Sequence, residues 1–383
     1  MVENLPPLAL YAHFPWCVQK CPYCDFNSHK LETDLPEDQY IDALLVDLKQ
    51  DLAHINDRHI ETIFLGGGTP SLFSPRAIER LLSEIREMVS VRQQAEITLE
   101  ANPGTISREQ LEGYLEAGVN RLSIGVQSFE QEKLSKLRRI HDRSEALNAA
   151  IEAKAAGFDN FNLDMMFGLP GQDVSQARDD LLTAISLQPS HLSIYQLTVE
   201  PNTYFHRYPP PLPNEDTIWE MHQQLQKQTI QSGYTQYEVS AFALENARCK
   251  HNINYWEFGD YLGIGAGAHG KISTKNAITR FWKTKHPKTY LAKSLSSEVI
   301  GGCRELQKSE MAIEFMMNAL RLPQGFALSL FTQRTGQPFS TIEEPMKEAQ
   351  NRNWIELTKK RCRPSERGFR FLNNLVELFL PSQ

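Results

Sequence analysis

The chain has no stretch approaching the roughly 18 consecutive apolar residues that a membrane-spanning helix needs, so no transmembrane segment is expected. It also lacks a basic lead-in. Glu3 stands near the start and His13 interrupts the apolar run of residues 8–14, which argues against a cleaved signal peptide and for a cytoplasmic setting. Low-complexity tracts are missing, and 41% hydrophobic with 23% charged residues over 383 positions describe a globular protein with room for two or three units. Positive charge is in deficit. With 40 Lys and Arg against 47 Asp and Glu the net charge is −7, and the basic run Lys359, Lys360, Arg361 is short, so no nucleic-acid partner is expected. Cysteine is scarce as well: six in a chain this long are too few for a disulfide framework. Three of them nevertheless fall within eight residues. That crowding of Cys17, Cys21 and Cys24 points to metal, whereas Cys249, Cys303 and Cys362 read as buried or incidental thiols.

What is present, up to about residue 197, is an alternation of short apolar, β-branched runs with longer amphipathic stretches. This is the pattern of repeated βα units and a parallel sheet. Strands are expected at 8–14, 62–65, 96–101, 121–126, 161–167 and 191–197, and helices at 37–54, 75–90, 107–117, 143–156 and 174–186. Six units predict an α/β fold built as a partial (βα)6 barrel rather than a closed eight-fold one. The proline cluster at 209–213 reads as a surface connection, and a helix should restart near Asp216. A strand-like 237–242, the segment 251–256 and a glycine-rich 259–270 are read as an extension packed against the barrel. The last part has helical spacing at 310–320 and 369–380, with a short hairpin at 354–363. The expected division is therefore 1–235 for the barrel core, 236–303 for the extension and 304–383 for a smaller, mainly helical C-terminal domain.

The chemistry-bearing residues gather at the ends of these strands. Cys17, Cys21 and Cys24 form a C-x3-C-x2-C run directly after the first strand, and three thiolates in one loop can converge on three corners of a [4Fe-4S] cluster. The fourth iron then keeps an open position for a chelating ligand. A structural zinc ion with His29 as its fourth ligand is the competing arrangement on spacing alone. After the second strand comes Gly66-Gly67-Gly68-Thr69, where glycines let the backbone approach a ligand closely. The next three strands end near Glu100, Gln127 and Asp164, with Arg139 in the helical segment after Gln127. Polar side chains at the carboxyl ends of parallel strands are where such folds place their sites, the strand bodies staying apolar.

With these motifs in place the chain resembles the radical S-adenosylmethionine (SAM) superfamily, in the branch of oxygen-independent coproporphyrinogen oxidase and the HemW-type haem chaperones. The resemblance covers the whole chain, the C-terminal helical region included. It implies that the cysteines hold the cluster and that Tyr11, Gly67, Gly68, Thr69, Glu100, Gln127, Arg139 and Asp164 contact SAM, with Tyr23 on the adenine side. The residue types match the groups of SAM, with a glycine turn for the amine, Glu100 for ribose hydroxyls and Arg139 for the carboxylate. A reduced cluster would then pass one electron to the sulfonium.

Two features separate the branches. The oxidase motif continues to a further cysteine two residues after the third, and this chain has Phe26 there, as in the HemW-type pattern. The second is His251-Asn252-Ile253-Asn254-Tyr255-Trp256, which resembles the HNxxYW motif of that group and implies a haem role for His251, Asn252, Tyr255 and Trp256. Imidazole is a common axial haem ligand, and the two rings could pack against a porphyrin. A capped His followed by two buried aromatics would look the same in sequence. Other histidines that compete for the iron are His13, His206, His269 and His286. The expected function is a radical SAM-type haem chaperone that uses the cluster, SAM and haem and delivers haem to acceptor haemoproteins. The alternative is an oxidase-like enzyme acting on a porphyrinogen, and a homodimer is left open.

Overall fold

In the computed structural model, residues 5–381 are described, so Glu3 lies outside the described residues. Six strands run parallel and side by side in chain order: β1 (Leu8–Phe14), β2 (Ile60–Gly67), β3 (Val91–Ala101), β4 (Arg121–Gln127), β5 (Phe161–Phe167) and β6 (His191–Gln196). Each lies where a β-branched or apolar run is covered on both faces. Between them come α1 (Glu37–Asp51), α2 (Pro75–Met88), α3 (Arg108–Glu116), α4 (Gln131–Lys136), α5 (Arg143–Ala155) and α6 (Val174–Ser186). Their starts are written locally. Ser107, Asp142 and Asp173 close capping boxes, and Ser74 caps α2 with Pro75 in its first position. In α2, Ala77, Ile78, Leu81, Leu82 and Ile85 recur at helical spacing and are buried against the sheet. The expected partial (βα)6 barrel is formed, with the second, third and fourth strands longer than expected and the sixth ending at Gln196. The β3 extension is a solvent-exposed lead-in, Arg92 to Gln94, that apolar patterning does not mark.

The segment 236–303 continues the barrel sheet instead of resting against it. Ala241–Ala243 (β7) pairs antiparallel with β6, and Asp260–Ile264 (β8) pairs parallel with β1 at the opposite edge. Beyond it follow His269–Ser273 (β9), Ile278–Lys283 (β10) and Ile300–Glu305 (β11), all antiparallel. The strand expected at 237–242 is thus displaced to 241–243, with Tyr237 ahead of it and its hydroxyl hydrogen-bonded to His191 (2.8 Å). Leu262, Ile264, Phe281 and Tyr290 share one core with Leu10 and Ile63. Buried ion pairs fix the junction: Lys283 reaches Asp47 (2.5 Å) and Asp51 (2.8 Å) of α1, while Asp260 receives Arg58 (2.7 Å) and Lys271 (2.9 Å). Such pairs specify which elements meet, because a partner left alone in the core is costly.

From about residue 306 a second core takes over, built on Met311–Ala319, Leu328–Thr335 and Glu343–Asn351 and joined to the barrel through Phe258 and Ile278. The hairpin expected at 354–363 is present as Ile355–Leu357 and Arg361–Pro364, with Phe326–Ala327 as a third strand. The helix expected over 369–380 is instead two short ones, Glu366–Arg370 and Leu372–Glu377, broken at Phe371 where ψ is 45°. Among the described residues no helix is long and apolar enough to cross a membrane.

Candidate functional site

The carboxyl ends of β1 to β6 open into one cavity of about 510 Å³, within the usual range for cofactor pockets. The loop that follows β1 forms its rim. Its base is closed by a two-residue bridge between Trp16–Cys17 and His29–Lys30, and Lys20 spans it by donating to the carbonyls of Phe26 and Ser28 (both 3.1 Å). Asn27 anchors one side by donating to the carbonyls of Ala266 (2.9 Å) and Lys285 (2.8 Å). On the other side the Phe205 N–H donates to the Pro22 carbonyl (2.9 Å). A loop tied at so many points presents its thiols in a fixed arrangement.

Cys17, Cys21 and Cys24 are half-buried and all line the cavity. Burial pushes the Cys17 and Cys24 thiols up, partly offset at Cys17 by a hydrogen bond with Thr69 and at Cys24 by one with Ser28. Arg139 donates from Nη1 to Cys21 Sγ (3.4 Å) and from Nη2 to the Gly125 carbonyl (2.7 Å), and its Nε is buried without a partner. A guanidinium on a thiol, with donor capacity to spare, suits a site that takes thiolates and an anionic ligand. His29 is turned away. It meets Asn27 Oδ1 (3.2 Å) and the ring of His286 (5.2 Å) rather than the cysteines, so the three thiols stand without it. Three thiols on one loop supply the donor set of an iron–sulfur cluster held at three corners, while among the described residues no group of three or more His, Cys, Asp or Glu side chains is gathered so as to hold a metal ion.

Around the loop lie the other expected residues: Tyr11, Tyr23, Gly67, Gly68, Thr69, Glu100, Gln127, Arg139 and Asp164 all line this cavity. Gly67 has φ +116°, and a Cβ there would meet His13 at 2.5 Å; one on Gly68 would meet the Trp16 carbonyl oxygen at 2.6 Å. These glycines are therefore required first for contact with β1 and its loop, a reason the sequence does not display. The Gly67 N–H donates to Glu100 Oε2 (2.9 Å). Burial, with the nearby charge of Asp164, pushes the Glu100 carboxyl up to about 8 despite that hydrogen bond. Burial raises Asp164 as well, offset by hydrogen bonds from Asn162 (2.8 Å) and Ser123 (3.1 Å). Gln127 takes φ +70°, and Gly125 leaves room beside it: a Cβ there would crowd Gln127 at 3.1 Å and Arg139 at 3.4 Å. Tyr11 donates to His13 Nδ1 (3.0 Å) while His13 Nε2 donates to the Asn27 carbonyl (2.9 Å), so the His13 ring is fully engaged.

The expectation that strand bodies stay apolar is corrected. Arg121, Ser123, Asn162, His191 and Ser193 are buried within β4 to β6 and line the cavity. Asn162 links them, donating to Ser123 (2.8 Å) and Asp164 and meeting His191 (2.7 Å) and Ser193 (3.0 Å) through Oδ1. A signal was available: polar residues at every second position, 121/123, 162/164 and 191/193, mark one face of each strand.

The HNxxYW segment forms a short helix, Lys250–Trp256, whose first N–H groups at Lys250 and His251 donate to Glu96 of β3 (both 3.0 Å). His251, Asn252 and Tyr255 line the cavity; Trp256 does not. His251 is 1% exposed, meets Thr62 Oγ1 through Nδ1 (2.8 Å) and Tyr255 Oη through Nε2 (2.9 Å), and is lowered to about 3 by burial and by Arg121. Both ring nitrogens of His251 are thus engaged by neighbours in the interior. Of the other histidines considered, His206, His269 and His286 are exposed.

A family model of the radical SAM superfamily matches residues 11–184, and one of the HemN C-terminal domain matches residues 306–371. The chain is 48% identical to the heme chaperone HemW of Haemophilus influenzae, with all of both chains covered. It is 47% identical to the heme chaperone HemW of Escherichia coli K12 over 98% of this chain and 99% of that one. Among solved structures, coproporphyrinogen III oxidase (HemN) of Escherichia coli, described as a radical SAM enzyme, aligns with TM-score 0.84 over 98% of this chain and 90% of that one. At 23% identity that likeness speaks to the fold alone.

Proposed function

Because the chain belongs to the HemW family of the radical SAM superfamily, we propose that it holds a [4Fe-4S] cluster on Cys17, Cys21 and Cys24, binds SAM beside it, and carries haem to acceptor haemoproteins in the cytoplasm. The observation that carries the reading is the convergence of three thiols and the glycine turn on one cavity in a chain that matches heme chaperones along its entire length. When bound, the cluster supplies an electron to SAM. The protein's own residues bind and orient: Gly67, Gly68 and Thr69 receive the amino group of SAM, Arg139 its carboxylate and Glu100 its ribose hydroxyls. Tyr11, Tyr23, Gln127 and Asp164 complete the enclosure. Residues 1–235 would carry cluster and SAM, 236–303 the motif helix, and 304–383 the C-terminal closure.

The oxidase alternative has less support, since the position of the additional cysteine is Phe26, a side chain 61% exposed at the rim. Anaerobic reconstitution followed by two assays on the full chain separates the two. One measures haem binding and its transfer to an apo-haemoprotein; the other measures conversion of coproporphyrinogen with SAM and reductant. Haem transfer without decarboxylated product is the expected result. Turnover of the porphyrinogen without haem transfer would replace this reading with the oxidase.

A further inference from the structure

A second cavity, of about 1160 Å³, lies behind Gln196 and Thr198, which line both cavities. Helix Glu215–Gln231 forms one wall and the paired helices Glu366–Arg370 and Leu372–Glu377 form the other. The barrel and the C-terminal domain therefore build it together. Its most unusual member is His222. The buried histidines elsewhere are saturated: His13, His141, His191 and His251 each have a partner at both ring nitrogens. Among the described residues His222, which is half-buried, has no hydrogen-bond partner; its Nδ1 is shielded from solvent, which leaves Nε2 as the nitrogen that can face the cavity. Burial, and the charge of Arg370 second, hold its pKa below the ordinary value.

The surroundings offer aromatic faces and cations, in a lining that also includes Gln196, Gln223, Gln226, Asn373 and Asn374. The His222 ring stacks on Trp219 (5.6 Å between centroids, 20° between planes), and the Arg370 guanidinium lies 4.6 Å from the centroid of Trp219. Trp219 and Phe371 are 38% and 49% exposed, a large aromatic surface turned to an open cavity rather than packed away. Three cations line the walls. Arg321 and Arg370 are paired with Glu238 (3.1 Å) and Glu366 (3.5 Å), while Lys227 forms no ion pair among the described residues. Glu215 and Glu366 are the acids of the same walls, so the lining is mixed in charge with cations in excess. The HNxxYW helix touches this wall from behind: the ring of Trp256, which lines neither cavity, lies under the Arg321 guanidinium (4.3 Å).

We propose that this second cavity is the haem site, with His222 as the axial ligand to the iron, aromatic contact from Trp219 and Phe371, and Lys227 with the two arginines facing the propionates. The inference rests on the haem reading above. It assigns the motif a divided role, in which His251, Asn252 and Tyr255 wall the first cavity and Trp256 positions Arg321 in the second.

The experiment titrates the cluster-loaded full chain with ferric haem and, separately, with iron-free protoporphyrin IX. In His222→Ala, haem affinity should fall about tenfold or more and the Soret band should shift, while protoporphyrin IX affinity stays within about twofold. Added imidazole should restore the Soret position. His251→Ala should leave the Soret band of its folded fraction unchanged. Phe371→Ala, at a half-exposed position, should weaken both porphyrins. A His222→Ala protein with wild-type Soret band and affinity overturns the ligand assignment, and unaltered binding of both porphyrins by Phe371→Ala overturns the cavity. Wild type that binds no haem sinks the functional reading instead.

Discussion

Glu100→Gln isolates the electrostatics of the candidate SAM cavity with almost no change of shape, since an amide oxygen can still accept from the Gly67 N–H. The Glu100 carboxyl stands at about 8 against an ordinary 4.5, because burial and the charge of Asp164 disfavour its ionised form. Between those values the folded protein retains a proton that the unfolded chain has released. Stability should therefore fall as pH rises from about 5 to 8 and level off above, the slope following the difference in bound protons. A gap of about 3.5 units sets a ceiling of about 5 kcal/mol, and water in the open cavity reduces the expected loss to about 1–3 kcal/mol. Urea unfolding of the cluster-free protein at pH 5, 6, 7 and 8, at fixed ionic strength, measures it. In Glu100→Gln the decline should shrink by that amount, leaving the smaller contribution of Asp164, whose carboxyl is also raised by burial. Other titrating groups cancel in the difference between the two proteins. Parallel stability profiles for wild type and Glu100→Gln would refute the reasoning, and with it the claim that this carboxyl is held neutral near pH 7.

Replacing any one of Cys17, Cys21 and Cys24 by Ala should abolish a stable four-iron cluster, whereas Cys249→Ala, Cys303→Ala and Cys362→Ala should retain it; iron and sulfide analysis after reconstitution decides. Arg139→Ala should lower SAM affinity about tenfold at equal cluster content, by loss of a charged hydrogen-bond donor, as read by equilibrium dialysis. Equal affinities would remove Arg139 from the site. Lys283→Met should destabilise the protein by about 3–5 kcal/mol because Asp47 and Asp51 would be left buried without their cation. Denaturant melts measure this, and a loss below about 1 kcal/mol would mean that those carboxylates find another partner or a proton.

What the sequence alone determined is what is encoded within a few neighbouring residues. The cysteine spacing defines a loop wherever it sits, and Ser107, Asp142 and Asp173 announce their helices because the cap and the groups it satisfies are three residues apart. The βα alternation follows from period and length, and the strand ends that carry Glu100, Gln127 and Asp164 follow from the alternation. The tertiary structure decided whatever depends on distant partners. That residues 260–264 complete the barrel edge is a matter of pairing with β1, some 250 positions away, which no local pattern specifies. The glycines at 67 and 68 are set by His13 and Trp16, on a neighbouring strand and its loop. His251 and His222 illustrate the same limit. In the sequence His251 stands in a recognisable motif and His222 in none, yet Thr62 and Tyr255 saturate the first, while the fold leaves the second unpartnered between helices separated by 135 or more positions. A histidine's availability is a property of its neighbours in space, and only packing supplies or withholds them.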